Sequence, residues 1–348
     1  MQHPLPLIQG RGAQINTANP FHQLIYDEEL PGVEEARTEY IKTYPKSILN
    51  KIDSPDLGMG YGINAYQGCE HGCVYCYARN THPYWGYSAG LDFEQKILYK
   101  ERAPQLLRQA LLKKSYAPRP IMLSGNTDAY QPIERRLKLT RGLMEVLYEL
   151  KHPVGLISKN SLMLRDLDLL AAMAALKVAK ASISITTLDE EVRRKMEPRT
   201  ATISQRLKAV EDLAKAGVPV NVMIAPIIPG LTDHEVLPIA AAAASAGASK
   251  IGYTVVRLND SVEDIFTDWV HRAFPDRAER VLNRIRDCRG GGLGEKRFGK
   301  RHTGEGEIAT MIQQQYQLAK RLHFQHTIWP DWDFSHFEQL RNPQLSLF

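Results

Sequence analysis

The chain has 348 residues, of which 43% are hydrophobic and 24% charged, and it carries a net charge of +5 at pH 7. That length suits one large domain with extensions or two domains, and the composition is that of an ordinary globular protein. No run of eighteen apolar residues occurs, and the start, MQHPLPLIQGRGAQ, has no basic stretch followed by a long apolar one; neither a membrane span nor a secretory signal is expected.

Residues 1–58 are rich in Pro, Gly and polar side chains. The stretch QGRGAQINTANPFHQ reads as an extended arm, and GVEEARTEYIKTY (32–44) as a short helix. From about Ile63 a rhythm begins. Six short, nearly continuous apolar runs rich in β-branched residues are candidate strands: 62–66, 120–124, 154–158, 181–185, 218–224 and 250–256. Such runs fit strands covered on both faces, as in a parallel sheet. Helical patterns alternate with them at 104–114, 138–150, 164–176, 203–217 and 234–247, the last two ending on Gly217 and Gly247. The order predicts an α/β core over 59–262, a partial (βα)6 barrel with a parallel sheet and right-handed crossovers. Six units are too few for a closed eight-stranded barrel. Residues 263–348 form a separate C-terminal extension: a basic helix (272–286), the glycine-rich loop RGGGLGEKRFGKRHTGEGE and a last helix near 307–322.

In such folds the functional face lies at the C-terminal ends of the strands. The loop after the first strand, GCEHGCVYCYARNTHPY, holds three of the four cysteines, Cys69, Cys73 and Cys76. Four cysteines with this clustering do not make a disulfide framework, and a reducing cytoplasm is the expected location. Three thiolates in one loop are soft ligands for zinc, copper(I) or an iron–sulfur cluster. His71 and His82 are candidates to complete a four-ligand zinc site. Three thiolates on a four-iron cluster instead leave one iron open, as in catalytic metal centres. Tyr75 supplies an apolar shield, and nothing around the remote Cys288 looks like a cluster-ligand motif, so a lone structural thiol is expected there.

Cys-x3-Cys-x2-Cys with an aromatic residue before the last cysteine, on a loop after the first strand of a (βα)6 pattern, resembles the radical S-adenosylmethionine superfamily over residues 60–260. The resemblance implies a [4Fe–4S] cluster on Cys69, Cys73 and Cys76, whose open iron chelates S-adenosylmethionine. An external one-electron donor would then drive cleavage to methionine and a 5′-deoxyadenosyl radical that abstracts hydrogen from the substrate. Most members carry a Gly-Gly-Glu-like motif after the second strand, where this chain has Ser124, Gly125, Asn126, Thr127 and Asp128. The motif is only partly matched, with Asn126 and Asp128 as acceptors for the methionine amine. Lys159 and Arg199 are candidates for its carboxylate, and Ser184 and Thr186 for ribose hydroxyls. Arg257 ends the sixth strand. No catalytic residue is assigned.

The stretches GCEHGCVYCYAR, SGNTDAYQPIE, MEPRT and APIIPGLTD look like a bacterial branch similar to spore photoproduct lyase and other DNA-repair lyases. One departure stands out: that lyase uses an additional cysteine to return a hydrogen atom, and no cysteine lies between 77 and 287 here. From Arg272 to His302 there are ten Lys or Arg against four Asp or Glu, and the pI is near 8.9. This segment is either a solvated face or a phosphate-binding surface for a nucleic acid. Trp269, Phe274 and Phe298 are either base-stacking platforms or core residues. The alternatives are a radical enzyme acting on a protein or small molecule, and a non-enzymatic metal-binding protein.

Overall fold

A computed structural model describes residues 8–21 and 37–341. Among the described residues ten strands form two sheets: β1 (Glu39–Lys42), β2 (Leu49–Lys51), β3 (Tyr61–Ile63), β4 (Tyr66–Gln67), β5 (Lys96–Tyr99), β6 (Ile121–Leu123), β7 (Val154–Ser158), β8 (Ala179–Ser184), β9 (Val220–Ile227) and β10 (Lys250–Val255). The main sheet has the order β2-β3-β6-β7-β8-β9-β10. Its last six strands are parallel neighbours in chain order, and β2 runs antiparallel on the edge. Consecutive strands lying side by side, each followed by a helix, wind the chain one way round and give the mixed α/β partial barrel expected; among the described residues the sheet does not close.

Alternation along the strands sets the two faces. Ile63, Ile121, Leu123, Val154, Leu156, Ala181, Ile183, Val220, Val222 and Ile251 are buried in one continuous core under the helices. The other face is made of small and polar residues. Gly62, Met122, Gly155 and Lys180 stand in register across it, as do Ser182, Asn221 and Lys250.

Local signals account for the helices. Ile203–Lys215 opens with a reciprocal box in which Thr202 Oγ1 accepts from the Gln205 amide and Gln205 Oε1 accepts from the Thr202 amide. Glu190–Met196 is capped by Asp189.

Four expectations are corrected. The run 62–66 is not one strand: the chain leaves the main sheet at Asn64, whose side-chain oxygen accepts from the Asn126 amide at 2.8 Å, and β4 pairs with β5 in the second sheet instead. Within 32–44 the residues Glu39–Lys42 are strand β1, aligned parallel with β5; 32–36 lie outside the described residues. The basic helix expected at 272–286 is two helices, Ser261–Ala273 and Ala278–Cys288, broken at Pro275 because proline cannot donate into a continuing helix. The arm is docked rather than merely extended: Ile8 and Ala13 are buried with Ala89, Leu91 and Ile265, and Arg11 donates to the Glu94 carbonyl at 2.7 Å.

The last part of the C-terminal extension, from Trp329 to Arg341, packs at the opposite end of the barrel. Trp332 and Trp329 pack on the Lys180 ammonium, with ring centres at 3.9 and 5.2 Å, and Arg341 reaches the Tyr116 carbonyl at 2.8 Å. The C-terminal rim of the strands is left as the working face.

Candidate active site

The cysteine loop starts where β4 ends. Gly68 and Gly72, immediately before Cys69 and Cys73, stand at φ of 76° and 68°, the left-handed region that glycine enters without steric cost. The backbone is held on every side. The Cys69 amide donates to the Phe93 carbonyl at 2.8 Å, and the Val74 amide to Met196 at 3.2 Å. The Gly68 carbonyl accepts from Thr127 Oγ1 at 2.7 Å, and the Cys73 carbonyl from Arg79 Nε at 3.0 Å. Cys69 and Cys73 are buried, and Cys76 packs between the two apolar clusters that hold them.

Burial, the Asp128 charge and the neighbouring thiols hold the Cys69 thiol well above the ordinary range. Burial and Glu197 push Cys73 up to about 12, with Lys159 opposing. The three sulfurs are close enough for their charges to interact, and a metal group bound there would have to displace their protons.

Among the described residues no three His, Cys, Asp or Glu side chains converge on a single ion. His71 is turned to Asp128 at 3.3 Å and Asn160 at 3.2 Å, and His82 to the Asp92 carbonyl at 3.1 Å. Neither joins the thiols as the zinc reading requires. A cluster makes no such demand, because each thiolate binds a different iron.

A buried network stands behind the loop. Glu197, fully buried, accepts from the Tyr75 hydroxyl, from Thr186 Oγ1 at 2.6 Å and from Arg206 Nη2 at 2.5 Å. Burial would raise its carboxyl, but Arg206, Lys159 and these donors outweigh burial and hold it at about 2. Tyr75 and Thr186 are thus fixed by one carboxylate. The Ser184 carbonyl joins the network through Arg206 Nη1 at 3.0 Å.

Asp128 ties three loops together. One oxygen accepts from Ser158 Oγ at 2.7 Å and the Tyr130 amide at 2.9 Å; the other accepts from the Lys159 amide at 2.8 Å and faces His71. Against the pull of burial, His71 and these donors hold it near 2. Its four acceptor directions are filled from within the protein. Asn126 differs: only its amide is engaged, and its side chain makes no hydrogen bond among the described residues. The neighbouring Ser124 sits at a φ of 91°, a strained conformation for serine that its own hydroxyl steadies through Thr127 and Ala129. Gly125 accepts from the hydroxyl of Tyr77, the residue after Cys76, so the ring of Tyr77 bridges the two loops. The Lys159 ammonium lies 5.6 Å from the centre of the Tyr75 ring with no ion pair among the described residues.

Arg199 lies further out. Its guanidinium faces Glu70 at 3.6 Å on the flank where the N-terminal arm docks. Cys288 is fully buried in the main core, consistent with a structural thiol, and burial raises it to about 11. Trp269 is a buried core residue, Phe274 is partly buried and packs against it at 5.7 Å, and Phe298 is exposed. Much of the basic segment is spent within the chain: Arg297 on Glu295 and Glu305, Lys300 on Glu305, and Arg301 on Asp56.

The residues not anticipated from sequence are Arg206, Arg79, Glu94 and Gly12. Arg206 had a readable signal, since it shares the apolar stripe of its helix with Ile203, Val210 and Leu213 and a charge there needs a buried partner. Arg79 and Glu94 form a fully buried pair at 2.5 Å. Glu94 also accepts from the amides of Gly12 and Ala13 at 3.0 and 2.8 Å, which docks the arm on the loop.

Residues 63–243 match the Radical SAM superfamily. An uncharacterized protein of Mycobacterium tuberculosis is 33% identical over 238 residues, 68% of this chain and 70% of the relative. An uncharacterized protein of Methanocaldococcus jannaschii is 30% identical over 200 residues, 58% of this chain and 72% of the relative. Among solved structures, spore photoproduct lyase complexed with dinucleoside spore photoproduct superposes with a TM-score of 0.59 over 83% of this chain and 81% of the lyase, at 17% identity. At that identity the likeness concerns the fold.

Proposed function

Because the chain belongs to the radical SAM superfamily, we propose that it is an enzyme whose Cys69, Cys73 and Cys76 hold a [4Fe–4S] cluster with one iron left open for S-adenosylmethionine. The observation that carries this reading is the buried loop itself: three interacting thiols, two of them preceded by glycines of positive φ, on the C-terminal rim of a parallel sheet. The bound pair would supply one-electron cleavage of S-adenosylmethionine and a 5′-deoxyadenosyl radical, with the electron coming from an external donor.

The protein supplies position and dryness. Glu197, held by Arg206, locks Tyr75 and Thr186 beside the cofactor space. Asp128 acts as a strut between the loops after β6, β7 and β4 rather than as a free acceptor. The uncommitted Asn126 side chain, Gly125 and the Lys159 ammonium are assigned to the methionine end, Lys159 to the carboxylate. Ser184 and Thr186 are assigned to the ribose. Arg199 steadies the loop through Glu70.

The substrate is assigned to the nucleic-acid class, in a DNA-repair lyase-like reaction. Support comes from the architecture shared with spore photoproduct lyase and from arginines on the rim. No helix is long and apolar enough to cross a membrane among the described residues; a cytoplasmic location belongs to the same proposal. The test is anaerobic reconstitution with iron and sulfide, reduction, addition of S-adenosylmethionine and chromatography of 5′-deoxyadenosine. Product in the wild type and none in Cys73→Ala supports the assignment; no product from protein that has taken up iron and sulfide defeats it.

A further inference from the structure

One guanidinium on the rim feels the Asp56 charge but is bonded to no carboxylate among the described residues. Arg257, just past the end of β10, is half-buried and forms no hydrogen bond or ion pair among the described residues. Its guanidinium lies 5.7 Å from the centre of the Tyr77 ring. Tyr77 follows Cys76 and reaches Gly125, so Arg257 borders the cysteine loop. A bond of 2.8 Å from Asn80 to the Asn259 carbonyl fixes the cysteine-loop side against this end of β10.

Its neighbours add to the imbalance. Arg289 spends its donors on three carbonyls, Val255, Val256 and Lys300, and so brings the glycine-rich loop to β10 without meeting a carboxylate in those bonds. Arg301 bonds Asp56 at 2.6 Å and lies 4.5 Å from the ring centre of the exposed Phe298. His302 also faces Asp56, at 3.7 Å. Arg257 and Arg301 thus share one carboxylate, Asp56, which Arg301 already bonds, while Glu295 and Glu305 near Arg289 are engaged by Arg297 and Lys300. A half-buried guanidinium beside two others is costly without an anion, and its planar fork suits two oxygens of one group.

Two half-exposed rings, Tyr77 and Phe298, each carry an arginine at this place. A phosphodiester flanked by bases matches that surface: oxygens for the guanidinium, π-faces for the rings. We propose that Arg257 is the phosphate anchor of the substrate site, taking a backbone phosphodiester of a nucleic acid next to Tyr77 at the barrel mouth. The inference rests on the enzyme reading above and names which phosphate contact that reading requires.

The test uses the full chain loaded with cluster and S-adenosylmethionine, without reductant. Thymidylyl-thymidine and its uncharged methylphosphonate analogue are titrated calorimetrically into wild type, Arg257→Gln and Arg257→Lys. Wild type should prefer the charged dinucleotide, and Arg257→Gln should lose roughly tenfold or more in affinity for it and none for the analogue. Arg257→Lys should recover part, since it keeps the charge and loses the fork. Equal affinity of wild type and Arg257→Gln overturns the inference. So does equal binding of the two ligands, or binding of a short acidic peptide with no binding of the dinucleotide. Cleavage of S-adenosylmethionine, assayed after reduction of the same wild-type preparation, separates the two ideas: cleavage with Arg257-independent binding sinks the anchor and leaves the enzyme, and the reverse outcome does the opposite.

Discussion

Replacing Gly12 with alanine should loosen the cysteine loop from sixty residues away in sequence. A Cβ on Gly12 would sit 1.7 Å from the Gly72 carbonyl oxygen and 2.8 Å from its carbon. Both contacts are with backbone, and Gly72 is itself fixed between Cys69 and Cys73, so the arm must lift. Lifting removes the amide bonds from Gly12 and Ala13 to Glu94 and leaves that buried carboxylate with Arg79. Bonds to a charged group contribute roughly 1.5–3 kcal/mol each, so at least about 3 kcal/mol is at stake. That is a sizeable part of an ordinary 5–15 kcal/mol stability, and the population with the arm open should rise by about a hundredfold. Arg11 is 5% exposed and its peptide bond with Gly12 is shielded while the arm is docked. Limited trypsin digestion followed by mass spectrometry reads the opening as a fragment beginning at residue 12. Gly58→Ala is the control, because a Cβ there meets nothing within 4 Å. Cleavage after Arg11 at the wild-type rate in Gly12→Ala would refute the argument.

Three further outcomes are expected. Arg206→Ala strands the buried Glu197 carboxylate and should cost about 3–5 kcal/mol in urea unfolding, with Glu197→Gln in the same chain recovering part. His82 and His152 are both buried and both lowered to about 4, chiefly by burial. The unfolded chain therefore binds more protons between about pH 6.5 and 4, so thermal stability should be full above that window and fall as pH drops through it, by up to about 3 kcal/mol per histidine. His152→Gln should flatten part of the slope. Cys288→Ala should cost about 1 kcal/mol and leave formation of 5′-deoxyadenosine unchanged; loss of product would give this thiol a chemical role that its full burial in the core argues against.

The barrel was legible because its strands are short runs rich in apolar, β-branched residues, which stand out from the helical patterns between them. VGLIS was read to the residue, and the helix at 203–217 was read from its pattern and its Gly217 stop, the structure giving Ile203–Lys215. The short strands β1, β2 and β5 were not read: each is three or four residues long, and what makes them strands is a partner elsewhere in the chain, as β1 finds β5. The cysteine spacing marked the loop, since thiols separated by three and then two intervening residues have few other uses. The roles of the carboxylates were harder. Asp128 looks like an available acceptor until His71, Ser158, Lys159 and Tyr130 are seen to fill it. Gly12 carries no mark at all, because what it must avoid is the carbonyl of Gly72.

The central claim is one cluster on Cys69, Cys73 and Cys76 with an iron open to S-adenosylmethionine. Electron paramagnetic resonance of the reduced, reconstituted protein with and without S-adenosylmethionine tests it most directly. The account predicts the signal of a single reduced [4Fe–4S] cluster whose spectrum changes when S-adenosylmethionine is added, and which Cys73→Ala does not form. A cluster spectrum indifferent to S-adenosylmethionine, or an unchanged cluster in Cys73→Ala, would contradict it.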